Sequence, residues 1–130
     1  MTFPTCHERD AAVVRAPDSS EVRPLVVADR GSLATFHLAA GQVSAAVAHR
    51  SVEEVWYVVA GRGHMWRAAA DAKEPDHGEV TVLEPGVALA LPVGTRFQFR
   101  AEPDSSLHIV GVTMPPWPGD DEAVVVEGRW

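Results

Sequence analysis

From Ser32 to Met114 the chain is cut into short apolar pieces by glycine, proline, aspartate and serine, and this punctuation leaves few ways to fold. The pieces are SLATFHLAAG, QVSAAVAHR, EVWYVVAGRG, HMWRAAA, EVTVLEPG, VALALPVG, TRFQFRA and SLHIVGVTM. They are rich in the branched and aromatic residues that suit a pleated, half-buried surface. EVTVLEP and TRFQFRA alternate polar and apolar residues, as strands with one buried face do. No segment sustains helical spacing. An all-β sandwich or barrel follows. Ahead of this run, residues 1–30 form a mixed N-terminal arm interrupted by Pro4, Pro17 and Pro24. Within it PLVVA is a candidate first strand, at an edge or exchanged with a partner subunit. Residues 31–130 form the barrel domain, with AAADAKEPDHGE as a polar loop. A proline-rich turn and one terminal strand are expected in MPPWPGDDEAVVVEGRW.

A chain of 130 residues is one domain by length, and can bury a substantial core. Its net charge of -7 comes from scattered acids, which disfavours nucleic acid or an anionic membrane as partner. Cys6 is the single cysteine, so no internal disulfide can form. The opening MTFPTCHERD lacks the apolar core of a signal peptide, and no apolar run approaches the ~20 residues that span a bilayer. A soluble cytoplasmic domain is expected.

Two glycine-bounded stretches carry a resemblance. Gly41 is followed after five residues by Val47, Ala48 and His49, then after four more by Glu54, and after six more by Gly61. Gly86, Pro92 and Gly94 then lead to Phe97 and Ala101. These spacings resemble the two motifs of the cupin superfamily, small jelly-roll β-barrels of two antiparallel sheets. The resemblance implies metal ligands at positions 47, 49, 54 and 97, but Val47 and Phe97 stand where the family carries histidines. Ala101 stands where it carries asparagine. The glycines and prolines also have a local reading: LEPGV suits a type II turn, and LPVGT ends a strand in a tight reversal.

Strand alternation locates the site. Val43, Ala45, Val47 and His49 share one face, which in cupins points into the barrel. Glu54, Trp56 and Val58 point in, while Glu53, Val55 and Tyr57 point out. Thr95, Phe97 and Phe99 point in, while Arg96, Gln98 and Arg100 point out. The expected pocket is apolar and aromatic, with Val47, Trp56, Phe97 and Phe99 as substrate-binding residues around His49 and Glu54. Trp117 joins them if PPWPG is a lid, or packs on the outer sheet if that segment is only a rigid turn.

Three functional readings follow. In the first, Glu54 is a general acid/base with His49 as partner, no cofactor is expected, and a partly apolar small molecule is isomerised, cyclised, dehydrated or decarboxylated. In the second, His49 and Glu54 hold a divalent metal (iron, manganese, nickel or zinc), as in a dioxygenase. A third ligand would then come from His37, His64 or His108, with His108 the foremost since both faces of its strand are apolar. In the third, the barrel binds a small ligand without converting it. Outward Val55, Tyr57 and Val59 suggest a buried second face and a homodimer.

Overall fold

The computed structural model describes residues 2–73 and 77–130. Positions 74–76 of the expected polar loop lie outside the described residues; its end residues Ala68 and Glu79 belong to strands, and the described residues between them do not. The strands are β1 (Val14–Arg15), β2 (Glu21–Ala28), β3 (Gly31–Leu38), β4 (Val47–His49), β5 (Glu53–Ala60), β6 (Gly63–Ala68), β7 (Glu79–Leu83), β8 (Ala88–Leu91), β9 (Arg96–Ala101), β10 (Leu107–Met114) and β11 (Ala123–Val125). They form two antiparallel sheets, one of six strands in the order β1-β2-β3-β10-β5-β8 and one of five in the order β11-β4-β9-β6-β7. PLVVA lies within β2, which pairs with β3 of the same chain. No described helix is long and apolar enough to cross a membrane.

Alternation packs the space between the sheets. On β5, Glu54, Trp56 and Val58 are buried while Glu53, Val55 and Tyr57 are exposed. Phe36, Leu38, Val47, Met65, Leu83, Leu91, Phe97, Phe99, Leu107 and Ile109 complete the core. Removing such side chains from water is the main stabilising term of a domain this size. The alternation expected from Val43 onward does not hold: Val43 is exposed and β4 begins only at Val47. The backbone between them is drawn elsewhere, with Ser44 N–H donating to Phe99 C=O and Ala45 N–H to Asp18 C=O.

Gln98 points outward as expected, yet it is buried. The C-terminal segment covers it, and its amide bonds Ser44 C=O, Trp130 C=O and the N–H groups of Arg129 and Trp130. Trp66 and Trp130 pack on this same outer face, with the Arg100 guanidinium 4.2 Å from the Trp130 ring centre.

Gly61, between β5 and β6, has φ +91°, and a Cβ there would lie 1.8 Å from the Ser106 carbonyl oxygen. Neither the dihedral nor the backbone contact admits a side chain. Gly61→Ala is expected to cost about 3 kcal/mol, measured by urea unfolding.

Candidate active site

β4, β5 and β9 bring the motif residues to one end of the barrel. Val47 and Phe97 are direct cross-strand partners, so both apolar replacements sit side by side. Next to them His49 Nδ1 lies 4.0 Å from Glu54 Oε1. The other carboxyl oxygen, Oε2, accepts a 2.6 Å hydrogen bond from Trp56 Nε1, two residues along the same strand. One Glu54 oxygen is therefore fixed, and the other faces the imidazole. The His49 ring is held edge-on by Phe97 and Trp117, at centroid distances of 5.3 and 5.0 Å.

These groups border a cavity of about 230 Å³. Val47, His49, Glu54, Trp56, Phe97 and Trp117 line it, together with apolar side chains of β2 and β3. Trp117 thus stands at the cavity and not on the outer sheet, its N–H bonded to Ser32 Oγ. Phe99 does not line the cavity. Two residues further along β9, it lies deeper in the core and supports Trp56 edge-on at 5.1 Å.

The electrostatics follow from burial. Desolvation pushes the Glu54 carboxyl from its ordinary 4.5 up to about 7, against the Trp56 hydrogen bond and with help from the nearby Asp18 charge. Desolvation lowers His49, with a partial offset from Glu122. Near neutral pH the carboxyl is thus divided between its protonated and charged forms, beside an imidazole whose uncharged form burial favours.

Two acids escaped the sequence reading. Asp18 is buried, lines the cavity, and accepts from Ser20 N–H and Ser20 Oγ. Burial raises its pKa, and the Ser20 bonds only partly oppose this. Glu122 is also buried; desolvation alone would raise it, but bonds from Ser51 N–H, Ser51 Oγ and Val52 N–H outweigh that and lower it. In sequence, Asp18 reads as an ordinary turn acid before two serines and Glu122 as one of three consecutive acids. Neither position carries a periodic signal.

The barrel pair lacks a three-ligand metal set. His108 is not its third ligand: on β10, Leu107 and Ile109 take the inward face and His108 the outer one. His37 alternates with buried Phe36 and Leu38 and also faces out. His64 neighbours inward Met65 and pairs outside with Glu102, at 3.3 Å. Among the described residues no third His, Cys, Asp or Glu joins His49 and Glu54 within coordination reach.

Solved structures share the whole architecture. The polyketide cyclase RemF from Streptomyces resistomycificus superposes with a TM-score of 0.73 at 23% identity, over 98% of this chain and 88% of that one. The barrel has the cupin fold. A Streptomyces Pac13 variant bound to uridine, Pac13 being described as a nucleoside dehydratase, gives a TM-score of 0.75 at 14% identity over 100% and 95% of the two chains. Oxalate decarboxylase from Bacillus subtilis gives 0.78 at 11% identity, over 97% of this chain and 32% of that one. At these identities the likeness is one of fold. No protein-family model and no curated protein matches the sequence. Gly41, Gly61, Gly86, Gly94, His49 and Glu54 stand at the spacings of the cupin motifs, while Val47 and Phe97 put carbon where those motifs carry histidine.

Proposed function

We propose that this cupin is an acid–base enzyme acting on a small, partly apolar molecule, with Glu54 as general acid/base and His49 as its proton partner. One observation carries the reading: a buried carboxyl on the wall of an apolar cavity has one oxygen pinned by Trp56 and the other directed at an imidazole. Val47, Trp56, Phe97 and Trp117 supply flat apolar walls against which a ring can stack. Elimination of water suits the pair. Protonated Glu54 gives its proton to a departing hydroxyl, which leaves as water. Neutral His49 takes a proton from the adjacent carbon, and the C–H electron pair becomes the new double bond. The imidazolium then returns its proton to the Glu54 carboxylate, restoring both groups. The same two groups serve cyclisation, in which a proton is lost at one centre and gained at another. That a polyketide cyclase and a nucleoside dehydratase share this barrel supports the reading. The test is conversion of hydroxylated aromatic and nucleoside-like compounds by wild type and Glu54→Gln; full turnover by the variant sinks the assignment.

A homodimer accompanies this proposal. Val55, Tyr57 and Val59 are 43, 52 and 43% exposed on the outer face of β5, beside exposed Ala88 and Ala90 of β8. Contiguous apolar surface of this kind supports an interface between two copies. Sedimentation is expected at twice the 14.0 kDa chain mass, and Tyr57→Lys is expected to return it to the monomer.

A further inference from the structure

We propose that Glu8, His37 and His108 form a zinc site on the outer face of the six-stranded sheet, tying the N-terminal arm to the barrel. His37 and His108 are direct partners across β3 and β10, and their rings stack at 4.2 Å. Their Nε2 atoms lie 3.5 and 3.2 Å from the same oxygen, Glu8 Oε1. Both Nε2 atoms are buried, and neither makes a hydrogen bond of acceptable geometry. Buried ring nitrogens are ordinarily satisfied. Two of them lacking a well-aligned hydrogen bond, both close to one carboxylate oxygen, put three donor atoms within reach of a single ion.

The spacing fits a metal. Four-coordinate zinc holds nitrogen and oxygen donors at roughly 2.0–2.2 Å, which separates neighbouring donors by about 3.3 Å. All three donor atoms here lie within 4.8 Å of one another. Two imidazoles with one carboxylate select zinc or a late transition ion over magnesium or calcium, which take oxygen donors. Each side chain is roughly 30% exposed (31% for His37, 28% for His108, 33% for Glu8), so a water can reach the fourth position. Of the flanking charges on β2, Glu21 is the direct partner of His37 and favours a cation, while Arg23 opposes one.

The site has a structural consequence. Glu8 belongs to a short 3-10 turn, Glu8–Asp10, which otherwise meets the barrel with no buried residue. The segment that follows, Val14 to Asp18, borders the cavity. Zinc at residue 8 therefore fixes the strand that closes one side of the active site.

Tag-free full-length protein, stripped with chelator, should be titrated with zinc chloride by calorimetry near neutral pH. One zinc per chain is expected, with a Kd on the order of 1 µM or tighter and a Tm gain of several degrees at saturation. Cobalt(II) in its place should show the intense visible band of a tetrahedral ion. Losing an outer-shell partner weakens a metal by about 10–100-fold, so His108→Asn, which loses a ligand, should weaken it by at least ~100-fold. Glu8→Gln, on the arm and outside the core, should weaken binding without disturbing the fold. His49→Asn should leave the affinity unchanged. The proposal is overturned if wild type takes up no stoichiometric zinc at about 1 mM. It is equally overturned if binding survives His108→Asn, or is lost in His49→Asn, which would place the metal in the barrel.

Discussion

Glu54→Gln is expected to lose turnover by roughly 10²–10⁴-fold and yet to be more stable than wild type above pH 7. The two effects have one origin. The carboxyl is held in a place that water would stabilise better in its charged form, and this is what raises it to about 7. An acid whose folded pKa lies above its unfolded value binds its proton more tightly in the native state. Stability therefore falls as pH rises from 4.5 to about 7, and the full penalty persists above that window. At 1.36 kcal/mol per unit the penalty is about 3 kcal/mol. Glutamine keeps an oxygen for Trp56 Nε1 and carries no charge, so it escapes the penalty.

Urea unfolding of both proteins at pH 5 and pH 8.5 separates this contribution from the others. His49 has the opposite sign: its folded pKa is depressed, so its contribution is lost as pH falls below 6.5, in wild type and variant alike. Asp18, raised like Glu54, also acts in both proteins. Glu54 is the one titrating group the variant removes, so the difference between the two proteins reports Glu54 together with its coupling to Asp18 and His49. An identical dependence on pH would show that Glu54 is solvated and ordinary, and would remove the physical basis for its catalytic role. Lost activity with gained stability is the signature of a group placed for chemistry at the expense of the fold.

How much of this site was legible depended on whether one face of each strand was polar. β5 alternates so plainly that Glu54 could be chosen over Glu53 without a structure, and it is Glu54 that is 4% exposed. β9 gave Phe97 the same way, though alternation says nothing of depth, and Phe99 packs against Trp56 without reaching the cavity wall. β10 is apolar on both faces, so its register is set by pairing with β3 and β5; only that pairing turns His108 outward, opposite His37. Asp18 was illegible for a different reason. Its burial is produced by packing of the arm against the barrel, where Asp18 C=O receives Ala45 N–H, and no local pattern encodes a contact between segments that distant. Trp117 follows a proline-rich turn whose direction the sequence leaves open, and the His49 ring is what it meets.

Val47→His is expected to convert the proposed acid–base site into a metal site. Val47 is 1% exposed and lies two residues from His49 on the same inward face of β4, beside Phe97. A second imidazole there gives two histidines and Glu54 converging on one end of the barrel, the minimum set for a catalytic metal. The measurement is best made in a His108→Asn background, so that the outer cluster contributes nothing. Zinc affinity at the barrel should improve by at least ~10³-fold, to the order of 1 µM. Histidine is larger and more polar than valine, so the apo variant should be less stable by about 1–3 kcal/mol. Metal at ~100 times its Kd should return about 2.7 kcal/mol. The same substitution should abolish the reaction proposed for wild type, because a ligating Glu54 is held as carboxylate and can no longer donate a proton near pH 7. Gain of metal with loss of turnover would show that Val47 keeps Glu54 free to be an acid. Retained turnover with bound metal would mean that Glu54 is not the proton donor, and no gain in affinity would mean that residues 47, 49 and 54 do not converge.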